Sequence, residues 1–276
     1  MKKRLKKYGN NIVLFITIVL VVSGMSLPFL EFAKTHGHAD RYPQFLMALP
    51  LLLIYIIPFA FFTNYLRKRF DVSKTVFTLT WFLALAIPVN IGALGNEFLS
   101  LFLLKLKLSE QFLNTWGASL TAPFTEEIAK GIVVLLIVLL FQQRSLKTSL
   151  LLGMIAGIGF QIVEDSLYIQ QTIFKNDGNG FITAFERIAY SGLSHWVFSA
   201  IFAVGLVALF TRSKAISKIR AIFYTIAPIA IHFAWNSPLE FSGNTTLYGI
   251  ISWIILFSIF KTVDQLPKEA EILPSA

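Results

Sequence analysis

The chain alternates between long apolar blocks and short polar segments, and this alternation limits the folds that are open to it. About 20 consecutive apolar residues cross the hydrocarbon core of a bilayer as an α-helix. The blocks are continuous and lack the alternating pattern of transmembrane strands. We therefore predict an all-α, polytopic membrane protein with about eight spans, at 11–30, 45–65, 75–94, 118–142, 149–171, 182–211, 219–236 and 246–263.

Composition agrees with a membrane protein. Charged residues make up only 14% of the chain, whereas soluble domains carry about 25%. The first apolar block follows MKKRLKKYGN and is longer than the roughly 7–15 apolar residues of a cleaved signal peptide, so we predict a retained first span. Residues 97–107 are too short to span, and we predict that they form a re-entrant or interfacial segment.

The placement of the 24 lysines and arginines points to membrane orientation. Most of them fall in segments that share one side of the membrane if the N-terminus is cytoplasmic, such as 2–7, 67–74, 144–147 and 212–220. Cytoplasmic loops of membrane proteins carry this kind of excess. We therefore predict that both termini are cytoplasmic, that the lipid bilayer surrounds the chain, and that no nucleic acid is bound despite the net charge of +9.

The sequence predicts a single integral membrane domain over 1–276. It comprises N-terminal spans in 1–117, a core with the candidate functional residues at about 118–240, and a short polar tail at 264–276. Cysteine is absent, which excludes disulfides and thiolate metal sites. HExxH zinc helices, GxSxG serine elbows and GxxxxGK[ST] phosphate loops are absent from the sequence too, so soluble cofactor chemistry is not expected. The sequence does not indicate whether the protein is a monomer or an oligomer.

Two adjacent glutamates, Glu126 and Glu127, lie inside the fourth predicted span. A carboxylate at the centre of a membrane helix costs about 2.5–3.5 kcal/mol on insertion, and such residues face a protein interior or a wet cavity. Lys130 follows at helical spacing from both, so it can neutralise either one. The other glutamate would be a general acid or base, and the spacing leaves open which of the two it is. A static Glu–Lys pair is the structural alternative, but it leaves the second glutamate unexplained.

Three further polar sites occur in the next three predicted spans: Glu164 with Asp165, His195, and His232 with Asn236. Taken singly, they could be a hydrated carboxylate, a packing histidine and a helix-end cluster. At a rise of about 1.5 Å per residue, however, all three sites and Glu126 can reach one layer between the outer leaflet and the midplane. We therefore predict one shared pocket. Glu186 and Arg187, at the outer end of the sixth span, are predicted to be interfacial or snorkelling, with a role at the mouth of the pocket as the alternative.

The order of these motifs resembles that of the PrsW-type intramembrane proteases, which are related to the CAAX-protease and bacteriocin-processing, abortive-infection family. The likeness covers about 118–240 and rests on EExxK at Glu126–Lys130 after Ala122-Pro123, FxxxE from Phe160 to Glu164, the intramembrane His195, and HxxxN from His232 to Asn236. The chain departs from the family at Asp165, where asparagine is usual. The CAAX relatives carry histidine in place of Glu164.

This resemblance implies an intramembrane endopeptidase in a bacterial or archaeal cell membrane. The implied substrate is a membrane-anchored protein, such as a single-span anti-sigma factor, that is cut near the extracytoplasmic side. The implied catalytic residues are Glu126, Glu127, Lys130, Glu164, His195, His232 and Asn236.

Two mechanisms are open for such a site. In the first, which needs no cofactor, the first glutamate of the pair activates a water and the second is held by Lys130, or the reverse. His232 and Asn236 would then stabilise the oxyanion. In the second mechanism, Glu164, His195 and His232 bind Zn2+, which suits nitrogen and oxygen ligands of this kind, and one glutamate of the Glu126–Glu127 pair is a further candidate ligand.

Two other classes of protein compete with the protease. A proton-coupled transporter also places ionisable residues in the membrane, but transporters often show internal repeats that this sequence lacks. A non-catalytic scaffold gives no reason for embedded charges. Convergence of the polar residues on one pocket favours the protease, whereas a polar path across the whole membrane favours the transporter.

Overall fold

The computed structural model describes residues 2–239 and 244–266, and every regular element in these ranges is helical. The all-α prediction is therefore confirmed. Residues 267–276, most of the predicted polar tail, lie outside the described residues. The helices are α1 (Lys2–Ala33), α2 (Tyr42–Ala48), α3 (Leu53–Arg69), α4 (Lys74–Ala86), α5 (Pro88–Lys105), α6 (Glu110–Phe141), α7 (Leu146–Phe174), α8 (Gly180–Tyr190), α9 (His195–Phe210), α10 (Lys218–Trp235) and α11 (Asn244–Asp264), with short 3-10 turns at Ala39–Arg41 and Leu49–Leu52 on either side of α2.

Polar caps fix where several helices begin. The side chains of Ser73, Ser109, Ser145 and Ser217 accept hydrogen bonds from backbone N–H groups in the first turns of α4, α6, α7 and α10. Asn179 does the same for α8. Caps of this kind satisfy the amide groups that have no partner within the helix. The short polar segments between the apolar blocks therefore set these helix boundaries.

Helices α7 and α9 form the centre of the bundle. Every residue over 148–161 and over 194–205 is buried. The two helices approach closely at glycines: a Cβ atom on Gly153 would lie 2.4 Å from a backbone oxygen of α9, and one on Gly157 would lie 2.5 Å from the carbonyl oxygen of His195. Small residues permit such contacts between membrane helices. The crossing thereby places the start of α9 directly against α7.

Five helical segments among the described residues are long and apolar enough to cross a membrane, and the pair α8 and α9, bent by 41°, would be a sixth. Helices α6 and α10 are outside this set although both pack within the bundle. Helix α6 carries the buried charges of Glu126, Glu127 and Lys130, which reduce its apolar character. The count of eight spans and the cytoplasmic termini stay predictions. The five segments are Gly9–Ala33, Ala39–Arg69, Lys74–Lys105, Leu146–Phe174 and Thr245–Asp264.

The third predicted span, 75–94, is divided in the structure between α4 and α5. The break falls at Ile87, and Pro88 opens α5. Proline disfavours a helical conformation in the residue before it and has no N–H to donate. Helix α5 then continues to Lys105, so 97–107 is largely the second half of this helix, and its place in the membrane stays a prediction.

The sixth predicted span, 182–211, is also broken. Residues 191–194 form a turn between α8 and α9. This turn contains Gly192, and glycine is a poor helix former. His195 is consequently the first residue of α9 and does not lie midway along a helix.

Candidate active site

The glutamate pair on α6 divides into one bonded and one free carboxylate. Glu127 and Lys130 are completely buried, and Lys130 Nζ donates to Glu127 Oε1 at 2.7 Å. The other oxygen of Glu127 accepts a hydrogen bond of 3.1 Å from the Ser199 hydroxyl. The Lys130 ammonium also lies 4.2 Å from the centre of the Phe160 ring, in a cation–π contact. Lys130 therefore neutralises Glu127 and not its neighbour.

Glu126 keeps one oxygen without a partner. Its Oε2 atom is buried and makes no hydrogen bond. The nearest nitrogens are Lys130 Nζ at 3.8 Å, His195 Nδ1 at 4.0 Å and His232 Nε2 at 4.0 Å. Helix α5 packs tightly against this side chain, since a Cβ atom on Gly92 would lie 3.3 Å from Glu126 Cγ. The free oxygen is thus held at the meeting point of three nitrogen-bearing side chains.

The start of α9 presents His195 between two charged groups. Lys130 Nζ lies 3.0 Å from its Nδ1 atom, and Glu164 Oε2 lies 3.1 Å from its Nε2 atom. An ammonium can only donate and a carboxylate can only accept. The imidazole therefore accepts at Nδ1 and donates from Nε2–H, which fixes its tautomer.

Glu164 belongs to an ion-pair network that joins α7 to α8. Arg187 donates to Glu164 and, from its Nε atom, to Asp165. The Tyr55 hydroxyl on α3 donates to the second oxygen of Asp165 at 2.9 Å. The Arg187 guanidinium is mostly covered, bridges two carboxylates and lines the cavity, which agrees with the alternative of a role at the pocket mouth. The interfacial depth of Arg187 stays a prediction.

This network includes residues that the sequence reasoning missed. The sequence did contain a signal for the ion pairs of Arg187, since a charged residue within a predicted span usually pairs inside the protein. Tyr55 gave no signal, since a tyrosine in an apolar block is equally typical of packing.

His232 and Asn236 close the site from α10. The Nδ1 atom of His232 is buried without a hydrogen bond and lies 3.3 Å from Glu127 Oε1. The rings of Phe198 and His195 pack against its imidazole, with centroids 5.5 and 5.4 Å away. Asn236 caps the end of α10, and its carbonyl oxygen accepts a 2.6 Å hydrogen bond from the Ser119 hydroxyl. Asn236 also lines the cavity.

These side chains surround a cavity of about 530 Å3. The residues predicted from the sequence that line it are Glu126, Glu164, His195, His232 and Asn236. Glu127 and Lys130 lie behind this wall and contact its members. The structure thus brings the polar sites of four predicted spans into one place.

Among the described residues, one group has the donors and spacing for a metal ion. It consists of Glu126, His195 and His232, whose ligand atoms lie within 4.8 Å of one another. Imidazole nitrogen and carboxylate oxygen suit zinc, which keeps an open position in catalytic sites with three protein ligands. The free Glu126 oxygen fits this use. The group contains both predicted histidines and one of the two candidate glutamates of α6. Glu164 is not part of it, because Arg187 holds Glu164 on the far side of the His195 ring.

The family model of the PrsW family intramembrane metalloproteases matches residues 72–261. This match covers more than half of the 276 residues. The chain belongs to the PrsW family. It is therefore a multi-pass membrane protein and an intramembrane peptide hydrolase, which decides against the transporter and the scaffold.

The match concerns the PrsW family alone, and the relation to CAAX proteases stays a prediction. Neither a curated protein nor a solved structure matches the chain. Membership in an intramembrane protease family implies a protein substrate embedded in the membrane.

Proposed function

We propose that this PrsW-family protease hydrolyses a peptide bond in a single-span, membrane-anchored protein, such as an anti-sigma factor, near the extracytoplasmic side of a bacterial or archaeal cell membrane. The observation that carries the proposal is the buried Oε2 atom of Glu126, which has no hydrogen-bond partner and faces His195 and His232. Burying a polar atom without a partner costs free energy. Such an atom at the wall of a cavity is expected where it takes part in chemistry.

The charges of the site support a bound divalent cation. The cluster at the cavity, in which Glu164 and Arg187 are half-buried, holds four carboxylates and two cations at their formal charges. This leaves two negative charges: Glu126, Glu127, Glu164 and Asp165 against Lys130 and Arg187. Uncompensated charge in a membrane interior is unfavourable, and one divalent ion would balance it. Glu126, His195 and His232 would hold this ion, for which Zn2+ is our candidate. When bound, such an ion polarises a carbonyl group and lowers the pKa of a water molecule.

The chain's own residues would orient the reacting groups. Glu164 accepts the Nε2–H of His195 and so leaves the Nδ1 lone pair on the side of Glu126. Carboxylates commonly orient metal-binding imidazoles in this way. Lys130 donates to the same Nδ1 atom. An ion bound to this nitrogen would therefore replace the ammonium there, and Lys130 would keep its hydrogen bond to Glu127.

The alternative without a metal uses the same carboxylate. Glu126 would accept a proton from a water in the cavity, and this water would attack the scissile carbonyl. Glu127 is less suited to this role, because Lys130 engages it and it lies behind the cavity wall. His232 and Asn236 line the cavity, where their N–H groups would stabilise the developing oxyanion.

Coexpression with a panel of single-span reporter proteins tests the proposal. The wild-type protein is expected to cleave at least one reporter, and Glu126→Gln is expected to lower this cleavage about 100-fold or more. Glu97→Gln is the matched control, since Glu97 is exposed on the neighbouring helix α5 and should leave cleavage unchanged. Equal cleavage by the wild-type and Glu126→Gln proteins, at equal expression, would contradict the proposal.

A further inference from the structure

The cavity extends beyond the reacting residues, into a groove between α5 and α6. These helices are in close contact near Glu126: a Cβ atom on Gly92 would lie 3.3 Å from Glu126 Cγ, and one on Gly95 would lie 2.8 Å from Thr125 Cβ. The next residue on α5, Asn96, accepts a hydrogen bond from the Thr125 hydroxyl. Asn96 is therefore tied to the α6 residue that directly precedes Glu126.

Helix α5 presents a polar strip to this groove. Asn96 and Ser100 are four residues apart, so they lie on one face of the helix, and both line the cavity. Much of the remaining surface of this half of α5 is apolar and open to lipid, as Phe98 and Phe102 are 70% and 53% exposed. Two hydrogen-bonding side chains on the face of α5 that lines the cavity suit a polar partner in the groove.

The opposite wall of the groove is made of small side chains on α6. Gly117, Ala118, Thr121 and Ala122 line it. Glu126 and Gly117 are nine positions apart, which corresponds to about 13 Å along a helix. A chain extended at about 3.3 Å per residue would place about four residues in this length.

A protease inside the membrane has to bind an unwound stretch of its substrate. Unwinding exposes backbone N–H and C=O groups, and no water in the hydrocarbon core can satisfy them. Because the Asn96 oxygen accepts from Thr125, the amide nitrogen of Asn96 is left to offer two N–H donors. The Ser100 hydroxyl can donate and accept. These groups match a row of substrate carbonyl and amide groups.

We propose that Asn96 and Ser100, together with the Gly117 wall, form the subsites that bind about four unwound substrate residues on one side of the scissile bond. This inference rests on the proposed function. Asn96 and Ser100 would bind the substrate backbone. Gly117 would set the size of one substrate side chain, because a Cβ atom there meets nothing within 4 Å.

Disulfide crosslinking tests the groove directly, because the chain has no cysteine of its own. Ser100→Cys is introduced into the Glu126→Gln protein and coexpressed with the cleaved reporter, which carries single cysteines at successive positions around its cut site. We expect crosslinks at positions within about four residues of the cut, on one side only. Ser258→Cys, at an exposed position on α11, is the matched control and should give at least ten-fold less product.

Two further variants address size and affinity. Gly117→Leu should fold normally and lose cleavage of reporters with a large side chain at one of these four positions, while it still cuts those with glycine there. Gly9→Leu is the control and should behave as wild type, because a Cβ atom at Gly9 also meets nothing within 4 Å.

Asn96→Ala should raise KM about 2- to 10-fold with a smaller effect on kcat, as expected for one lost hydrogen bond.

The outcomes separate the groove from the proposed function. If the wild-type protein cleaves no reporter, the proposed function fails and the groove fails with it. If it cleaves a reporter, but Ser100→Cys crosslinks no better than Ser258→Cys while the reporter copurifies with both proteins, the groove alone is refuted. Unchanged side-chain selectivity in Gly117→Leu would refute the assigned wall.

Discussion

Glu164 and His195 are joined by a hydrogen bond of 3.1 Å between Oε2 and Nε2, although they lie on different helices. The same Oε2 atom also accepts a hydrogen bond from Arg187. Glu164 is thereby fixed between a cation and an imidazole. This position suits a residue that orients His195 better than one that itself contacts the scissile bond.

Glu164→Ala is therefore expected to lower reporter cleavage about 10- to 100-fold, the usual effect of removing a carboxylate that orients a metal-binding imidazole. The reason is that the His195 ring loses the acceptor of its Nε2–H and with it a contact that holds its orientation. Initial rates with purified protein in detergent measure this. Glu186→Ala is the control, because Glu186 is exposed on α8 and should leave the rate unchanged. A Glu164→Ala protein with the wild-type rate would contradict the orienting role.

The purified protein is expected to contain about one divalent ion per chain, because the cluster at the cavity carries two uncompensated negative formal charges and presents three ligands. Elemental analysis measures this content. His232→Ala and Glu126→Gln should each lose most of the ion, whereas Glu97→Gln should retain it. A chelator should abolish cleavage, and added zinc should restore it. Full activity in a chelated, metal-free preparation would instead support water activation by Glu126 alone.

Much of the fold could be predicted because apolar length and polar caps are local properties of the sequence. The predicted span 149–171 lies within α7, and 219–236 agrees with α10 to within one residue at each end. In both helices a serine, Ser145 or Ser217, accepts from the first turn, directly after a polar loop. The position of His232 and Asn236 on one side of α10 could also be predicted, because their spacing of four residues is a local property of the sequence.

The rest depended on tertiary contacts. The position of His195 against α7 depends on the close approach at Gly157, which the local pattern around 191–194 does not encode. Likewise, the partner of Arg187 could not be chosen from spacing, since Asp165 and Glu164 lie more than twenty residues before it. The choice between the two adjacent glutamates was also out of reach, because Lys130 can pair with either along the helix.

Lys130→Met is expected to destabilise the protein by about 3–5 kcal/mol, because it leaves the buried carboxylate of Glu127 without its cation. Adding Glu127→Gln should recover part of this loss. The difference in the free energy of unfolding is measured with purified proteins in mixed micelles, in which the fraction of a denaturing detergent is increased stepwise. Lys34→Met is the comparison, since the Lys34 side chain is 60% exposed and its ion pair should contribute less than about 1 kcal/mol. Equal unfolding midpoints for the two single variants would argue against a buried Glu127–Lys130 pair.

Gly157→Ala should impair both stability and cleavage, because the added Cβ would lie 2.5 Å from the His195 carbonyl oxygen and 2.5 Å from the Trp196 Cα atom. Both are backbone atoms, so the start of α9 as a whole has to move, and His195 moves with it. Overpacking of this kind costs about 1–3 kcal/mol. Gly9→Ala provides the control, since the same methyl group meets nothing within 4 Å there. Thermal unfolding and reporter cleavage, measured on the same preparations, should fall together in Gly157→Ala only. A Gly157→Ala protein that matches Gly9→Ala in both measurements would show that α7 and α9 do not cross at this glycine.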